Sequence, residues 1–221
     1  METETYLKIL REEIHSVVMA TTDEKGLPVT RVIDIMLQDD KGIYFLTAKG
    51  KAFYRQLMNK SYVSLSGMTS GTNSMSKKAI SIAGSVRNIG SDKREEIFKK
   101  NPYMATIYTS FESRTALNVF CLYKGQGEFF DLSTKPITRK SFAWGGKEIQ
   151  TYGYRINEDC NACGLCLEKC PQNCIRTDEP YEIIQENCLH CGNCMEICPQ
   201  QAVLNTKENE QIASTRIYVN N

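Results

Sequence analysis

Eight cysteines fall in two runs of identical spacing, Cys160-x2-Cys163-x2-Cys166-x3-Cys170-Pro171 and Cys188-x2-Cys191-x2-Cys194-x3-Cys198-Pro199. Each cysteine recurs 28 positions later, and so do Gly164 as Gly192 and Gln172 as Gln200, so a whole unit is duplicated and both copies are expected to share one backbone path. Three thiolates so closely spaced curl around a single centre. The fourth, three residues further on, points along the following turn toward the other centre. The chemistry that needs this pattern is an iron–sulfur cage. Zinc sites instead take C-x2-C pairs separated by a longer spacer. The spacing assigns Cys160, Cys163, Cys166 and Cys198 to one [4Fe-4S] cluster, and Cys188, Cys191, Cys194 and Cys170 to a second. Pro171 and Pro199 stop a helix after the shared ligand, and Gly164 and Gly192 permit left-handed turns beside the sulfurs.

Over about residues 152–205 the chain closely resembles the bacterial two-cluster ferredoxins, with short strands expected at Tyr152–Ile156 and Tyr181–Ile184. Cys174, where the second copy has Ala202, reads as a small apolar filler and not as a ligand. His190 reads as an exposed loop side chain, with hydrogen bonding to a cluster as the alternative. Cys121, in the apolar stretch Asn118–Tyr123, reads as core.

Ten cysteines without an apolar leader after Met1 point to a reducing, cytoplasmic setting, and no stretch approaches a membrane span. In the 221-residue chain, 27 basic side chains nearly cancel 26 acidic ones, which argues against nucleic acid or a polybasic membrane anchor as partner. The balance hides an asymmetry. Residues 1–153 carry 22 basic and 16 acidic groups, net +6, and residues 154–221 carry 5 and 10, net −5. Length and asymmetry together predict a domain over 1–150 and a smaller one over 151–221, the latter with a polar tail in which Arg216–Val219 either adds a strand or frays.

The front part opens with an amphipathic helix through Tyr6, Leu7, Leu10 and Ile14, with His15 as a structural residue at its end. Strands then dominate: Ser16–Thr22, Val29–Leu37 and Ile43–Thr47 form a meander, followed by a helix over Ala52–Asn59 and strands Tyr62–Met68 and Ala79–Asn88. Ser91-Asp92 is expected to cap a helix over Lys93–Lys100. Leu117–Tyr123 and Gly127–Asp131 read as a hairpin turning at Lys124–Gly127. The fold class expected is mainly β with α: a small split β-barrel followed by a small α+β ferredoxin domain.

Phe45-Leu46-Thr47-Ala48-Lys49-Gly50-Lys51 runs from a strand through a turn into a helix. Helix N-termini offer free N–H groups and positive potential, and here one hydroxyl and two ammonium groups are added, a set suited to phosphate. Arg31, on the preceding strand, brings a fork shaped for phosphate oxygens. The plain alternative is that such lysines are simply solvated.

The order of helix, meander with Arg31-Val32-Ile33, and Thr47–Leu57 resembles the pyridoxamine 5'-phosphate oxidase-like split-barrel flavoproteins over about residues 5–145. The resemblance implies FMN, with Arg31, Thr47, Lys49 and Lys51 around its phosphate and the backbone of Arg31, Val32 and Ile33 along its ring. It also implies a homodimer with flavin at the subunit interface. The sequence departs from the family in having Lys51 where many members have serine, Phe53 where many have lysine, and no glutamine near Ala79. Trp144 either stacks near the flavin or seals the domain junction.

Clusters move single electrons while flavin handles one or two, so the combination implies an FMN-dependent iron–sulfur oxidoreductase acting on a small-molecule substrate or an electron-transfer protein. No catalytic acid or base is visible in the sequence. The alternatives are a non-enzymatic electron carrier or redox sensor, and a haem-binding barrel, for which the two histidines, His15 and His190, offer poor axial ligands.

Overall fold

The computed structural model describes residues 2–149 and 152–206; the tail segment Arg216–Val219 lies outside them. The described residues form two compact units. The first takes residues up to Phe129 together with Ser141–Ile149, and the second takes Phe130–Lys140 together with the residues after 151. A chain boundary placed near residue 150 therefore leaves out one feature: the segment Phe130–Lys140 groups with the residues that follow it much later.

In the first unit, α1 (Glu2–Ile9) continues into a π-helical turn, Leu10–Ile14, and ends at His15. Then come β1 (Ser16–Thr22), β2 (Pro28–Asp34), β3 (Leu37–Asp39), β4 (Gly42–Ala48), α2 (Ala52–Asn59), β5 (Tyr62–Met68) and β6 (Lys78–Gly90). Helices α3 (Arg94–Lys100), α4 (Met104–Ile107) and α5 (Phe111–Arg114) precede the long strand β7 (Leu117–Asp131) and its neighbour β8 (Thr138–Trp144). The eight strands form one sheet in the order β2-β1-β5-β6-β7-β4-β3, with β8 on β7. β1 pairs antiparallel with β2, so that Met19 faces Arg31 and Val18 faces Val32, and β4 pairs antiparallel with β7.

β4 is buried on both faces, which is why it reads as an unbroken apolar run. Ile43 and Phe45 join the core shared with α1 and α2, through Leu7, Leu10, Phe53 and Leu57. Tyr44 and Leu46 join a second core under α3 and α4, with Ile97, Phe98, Met104 and Cys121. Each large side chain so buried contributes roughly 1.5–3 kcal/mol. Cys121 is thus core, as expected from the sequence.

Three expectations are corrected. The segment read as one strand, Val29–Leu37, divides into β2 and β3. The cap of α3 is not Ser91 or Asp92: Lys93 holds that place in a left-handed conformation (φ 60°) with no side-chain cap, and backbone bonds from Asp92 to Ile89 and Arg94 to Ser91 close the turn. The expected hairpin at Lys124–Gly127 is absent, because β7 runs straight through it. Its glycines serve close approach and not a turn. A Cβ on Gly125 would meet Trp144 Cη2 at 2.7 Å, and one on Gly127 would meet Phe142 Cζ and the Ser81 carbonyl oxygen at 2.6 Å. Trp144 lies in the first unit, stacked on Phe142 and donating its indole N–H to the Leu122 carbonyl at 3.3 Å.

In the second unit, β9 (Tyr154–Ile156) pairs with β12 (Val203–Asn205), and β10 (Ile175–Arg176) pairs with β11 (Glu182–Ile183). Between them lie α6 (Leu165–Lys169) and α7 (Asn193–Glu196). The Phe130–Lys140 segment is tied in by the Ile137 N–H, which donates to Gln172 Oε1 at 2.7 Å. Asn187 Nδ2 donates to the Ile137 carbonyl at 3.0 Å, and Lys140 pairs with Glu186.

Candidate functional site

The duplicated unit follows one backbone path twice. Ala162 and His190 have φ of 56° and 55°, Gly164 and Gly192 81° and 84°, and Asn173 and Gln201 49° and 52°. Left-handed backbone at these matched places costs non-glycine residues energy, so its recurrence marks a shape that the sulfurs require. Gly164 and Gly192 each stand immediately before a short helix, α6 and α7, which carry Cys166 and Cys194.

The cysteines ring two cavities. Cys160, Cys163, Cys166 and Cys198 line one, otherwise bounded mainly by Ile156, Leu165, Tyr181 and Val203. Cys170, Cys188, Cys191 and Cys194 line the other, with Cys174 as a fifth sulfur. Each cavity thus joins the triplet of one repeat to the fourth cysteine of the other. Among the described residues no three His, Cys, Asp or Glu side chains converge on the position of a single ion. A ring of separated thiols around an apolar space suits a polynuclear centre, in which each sulfur meets its own iron.

Burial pushes the Cys194 thiol up to about 11 and raises Cys166 as well. Binding there as thiolate requires a compensating cation and releases the proton. Backbone donors already face the sulfurs, from His190 N–H to Cys188 Sγ at 3.4 Å and from Ala202 N–H to Cys198 Sγ at 3.3 Å. Cys174, expected to be filler, is buried as that reading requires, yet its Sγ lies 3.5 Å from Cys170 Sγ. His190 sits edge-on to Tyr154.

In the first unit, β2 projects Arg31 inward beside the first turn of α2. Its guanidinium lies 4.2 Å from the Phe53 ring centroid, and donates to Thr21 Oγ1 at 2.9 Å and Gln56 Oε1 at 2.8 Å. Thr21 Oγ1 donates in turn to Gln56 Oε1 at 2.7 Å. Burial lowers the Arg31 pKa from its ordinary value. Two of its five N–H donors are used in these bonds. Thr21 and Gln56 are not singled out in the sequence, where Phe53 enters only as a departure from the family; the signal is that Phe53 and Gln56 share one face of α2, three residues apart.

Thr47, next to last in β4, has its Oγ1 fully buried and without a hydrogen-bond partner, a rare state for a hydroxyl. Lys49 and Lys51 are exposed on the turn that follows; Lys51 stands at the N-terminal boundary of α2, which has no side-chain cap. No described bond joins either ammonium group to Arg31 or Thr47. Ile33 packs toward the first core, while Val32 is 68% exposed on the opposite face of β2. Beside α2 a further recess of about 490 Å³ is lined by Thr22, Lys25, Arg55, Gln56 and Lys60, among others, and the Thr22 hydroxyl is also buried and unpartnered.

The structure also gathers polar groups that the sequence kept apart. Tyr103 OH donates to Asp34 Oδ2 at 2.6 Å, Ser16 Oγ donates to Asp34 Oδ1 at 2.6 Å, and Arg11 Nη1 lies 3.3 Å from His15 Nδ1. Burial raises Asp34, but the hydroxyls of Ser16 and Tyr103 and the nearby His15 and Arg11 outweigh it, and the net shift is downward.

Residues 3–123, more than half of the chain, match the sequence profile described as pyridoxamine 5'-phosphate oxidase. The chain belongs to the pyridoxamine 5'-phosphate oxidase family. Within this family member, residues 159–202 form a 4Fe-4S dicluster domain, and the two together give it a redox role. The oxidase-family unit has the split-barrel fold. A similar solved structure is a NimC/NimA family protein from Clostridium acetobutylicum, 19% identical with a TM-score of 0.52 over 63% of this chain and 90% of that one. Another, also from Clostridium acetobutylicum, is a protein related to a general stress protein, of the pyridoxine phosphate oxidase family; it is 14% identical with a TM-score of 0.48, over 63% of this chain and 94% of that one. PhzG from Burkholderia lata, in complex with tetrahydrophenazine-1-carboxylic acid, is 16% identical with a TM-score of 0.48, over 67% of this chain and 86% of its own. No curated protein matches the chain. No described helix is long and apolar enough to cross a membrane.

Proposed function

We propose that this family member is a cytoplasmic iron–sulfur flavoprotein oxidoreductase that carries two [4Fe-4S] clusters and FMN, and exchanges electrons with a small-molecule substrate or an electron-transfer protein. The observation that carries the reading is the gathering of eight cysteines around two cavities, each triplet with the other repeat's fourth sulfur. Cys160, Cys163, Cys166 and Cys198 hold one cluster, and Cys188, Cys191, Cys194 and Cys170 the other. Residues 151–221 with Phe130–Lys140 then serve as the cluster domain, and the remainder of 1–150 as the flavin domain.

For the flavin, Arg31 supplies its spare N–H donors to the phosphate while Thr21 and Gln56 fix its fork. The orphaned Thr47 hydroxyl gains a partner, the first N–H groups of α2 add two more donors, and Lys49 and Lys51 close the phosphate off from water. Val32 and Ile33 offer strand backbone to the ring. When bound, the clusters deliver electrons singly and the flavin exchanges one or two, so the chain converts between the two modes. One covalent chain raises the effective concentration of donor near acceptor.

A homodimer is supported by the outer face of β2, β1 and β5, where Val32, Val18, Tyr62 and Met68 are each about half exposed or more, and the one charged side chain of these strands on that face, Asp34, lies at the strand end bonded to Ser16 and Tyr103. An area of this kind favours a partner over water.

Protein purified without oxygen should contain about eight iron and eight sulfide per chain and release one FMN on denaturation. A colourless, iron-free sample would overturn the reading, and a brown sample without flavin would overturn its front half. Replacing Cys170 by serine should damage the cluster of Cys188, Cys191 and Cys194. Damage confined to the cluster of Cys160, Cys163 and Cys166 would contradict the crossed assignment.

A further inference from the structure

The two cysteine cavities repeat one hydrogen bond at their fourth cysteines and differ in the side chain of the residue that makes it. In each, the fourth cysteine's sulfur accepts the backbone N–H of the residue four positions on: Cys170 Sγ from Cys174 at 3.5 Å, and Cys198 Sγ from Ala202 at 3.3 Å. Cys174 and Ala202 are both buried, 2% and 0% exposed. Where Ala202 ends in a methyl group, Cys174 adds a sulfur, and that sulfur lies 3.5 Å from Cys170 Sγ and lines the cavity. A cysteine bound to iron is a thiolate and has no proton to give. In the Cys170–Cys174 pair the donor is then the Cys174 S–H.

Resting on the two-cluster reading above, we propose that Cys174 is a tuning residue and not a ligand: its thiol donates a hydrogen bond to the Cys170 sulfur and raises the reduction potential of the cluster held by Cys170, Cys188, Cys191 and Cys194. Reduction adds negative charge that spreads onto the ligating sulfurs, so a donor aimed at one of them stabilises the reduced state more than the oxidised. The other cluster, with Ala202 in the same place, receives no such bond. The two halves of the duplicated domain are thereby made unequal at this sulfur by one side chain. Four sulfurs already surround the second cavity without Cys174, as four surround the first, so no coordination position needs it.

The test is a redox titration of the oxygen-protected holoprotein with dithionite and mediators, followed by electron paramagnetic resonance. Wild type should show two one-electron steps. Cys174→Ala should move one step to lower potential by about a tenfold change in its equilibrium constant, or about 59 mV, and leave the other in place. Cys174→Ser, which retains an O–H donor, should move it less, and Ala202→Cys should raise the other step. Iron should stay at about eight per chain throughout. Titrations of Cys174→Ala that superimpose on wild type would make the residue a filler and overturn the proposal. Loss of one cluster's iron in both Cys174 variants would make it a ligand and overturn the proposal as well. A wild-type protein that holds fewer than two clusters defeats the two-cluster reading itself, and is recognised from its iron content before any variant is titrated.

Discussion

Replacing Arg31 by alanine separates its role as a brace from its role as an anchor. The substitution removes bonds to Thr21 Oγ1 and Gln56 Oε1 and the contact with the Phe53 ring. Each such bond has a net worth of about 0.5–1.5 kcal/mol, and the ring contact about 0.5–1 kcal/mol. Regained side-chain freedom offsets part of the loss, and Gln56 Oε1 keeps its bond from Thr21, so no acceptor is orphaned. The expected cost to the flavin-free protein is about 1–2 kcal/mol, seen as a fall of a few degrees in Tm. A guanidinium fork on phosphate is worth more: hydrogen bonds to charged groups contribute about 1.5–3 kcal/mol each. Losing about 3 kcal/mol weakens FMN binding by roughly a hundredfold. Titration of flavin-free protein with FMN, read by flavin fluorescence, measures this, and thermal unfolding by circular dichroism measures the brace. Arg31→Lys keeps the charge without the fork and should fall between. FMN affinity within threefold of wild type, together with the expected drop in Tm, would refute the anchor and leave Arg31 a structural residue.

Thr47→Val removes a buried hydroxyl that has no partner, so the flavin-free protein should be unchanged or more stable by up to about 1 kcal/mol in chemical denaturation, while FMN binds roughly tenfold more weakly. A clear loss of stability would mean that the hydroxyl is satisfied in solution. Val32→Lys places a charge on the exposed face of β2 and should convert the proposed dimer to monomer in sedimentation velocity; an unchanged sedimentation coefficient would remove this face from the interface. Asp39 accepts from Tyr44 OH, the Lys41 N–H and the Lys93 ammonium. Burial raises its pKa, but these bonds outweigh burial and hold it below its ordinary 3.8. Its stabilisation is therefore present above that value and lost as the pH falls through the lower folded one. Asp39→Asn should be less stable than wild type at pH 6, and the gap should narrow as the solution is acidified below pH 4. A gap of constant size would show that the carboxylate's charge is not what matters.

What could be read from the sequence was whatever depends on neighbours along the chain. Ala52–Asn59 and Tyr62–Met68 have the limits expected, because local periodicity and flanking breakers fix them. The duplicated cysteines declared a shared backbone path, and matched left-handed residues bear it out. The misreadings came from residues whose reason is distant. Gly125 and Gly127 look like a turn until Trp144 and Phe142 are seen against them. Gln56 shares a face of α2 with Phe53, but it matters because pairing of β1 with β2 brings Thr21 and Arg31 over α2. Asp34, Tyr103 and His15 meet only because α4 begins beside the end of β2. Cys174 was legible as buried, but its approach to Cys170 needed the turn between them to be folded.

The segment Phe130–Lys140 carries a lesson for anyone who would trade this protein's parts. It is encoded between two barrel strands, yet its partners are Gln172, Asn187 and Glu186. A gene fragment beginning near codon 150 would deliver the cysteine-rich half shorn of a piece that it grips, and the donor barrel would keep a hairpin end with nothing to hold. Exchange of the halves by recombination at a single joint is thereby discouraged, and the pairing of this barrel with this ferredoxin is written into both.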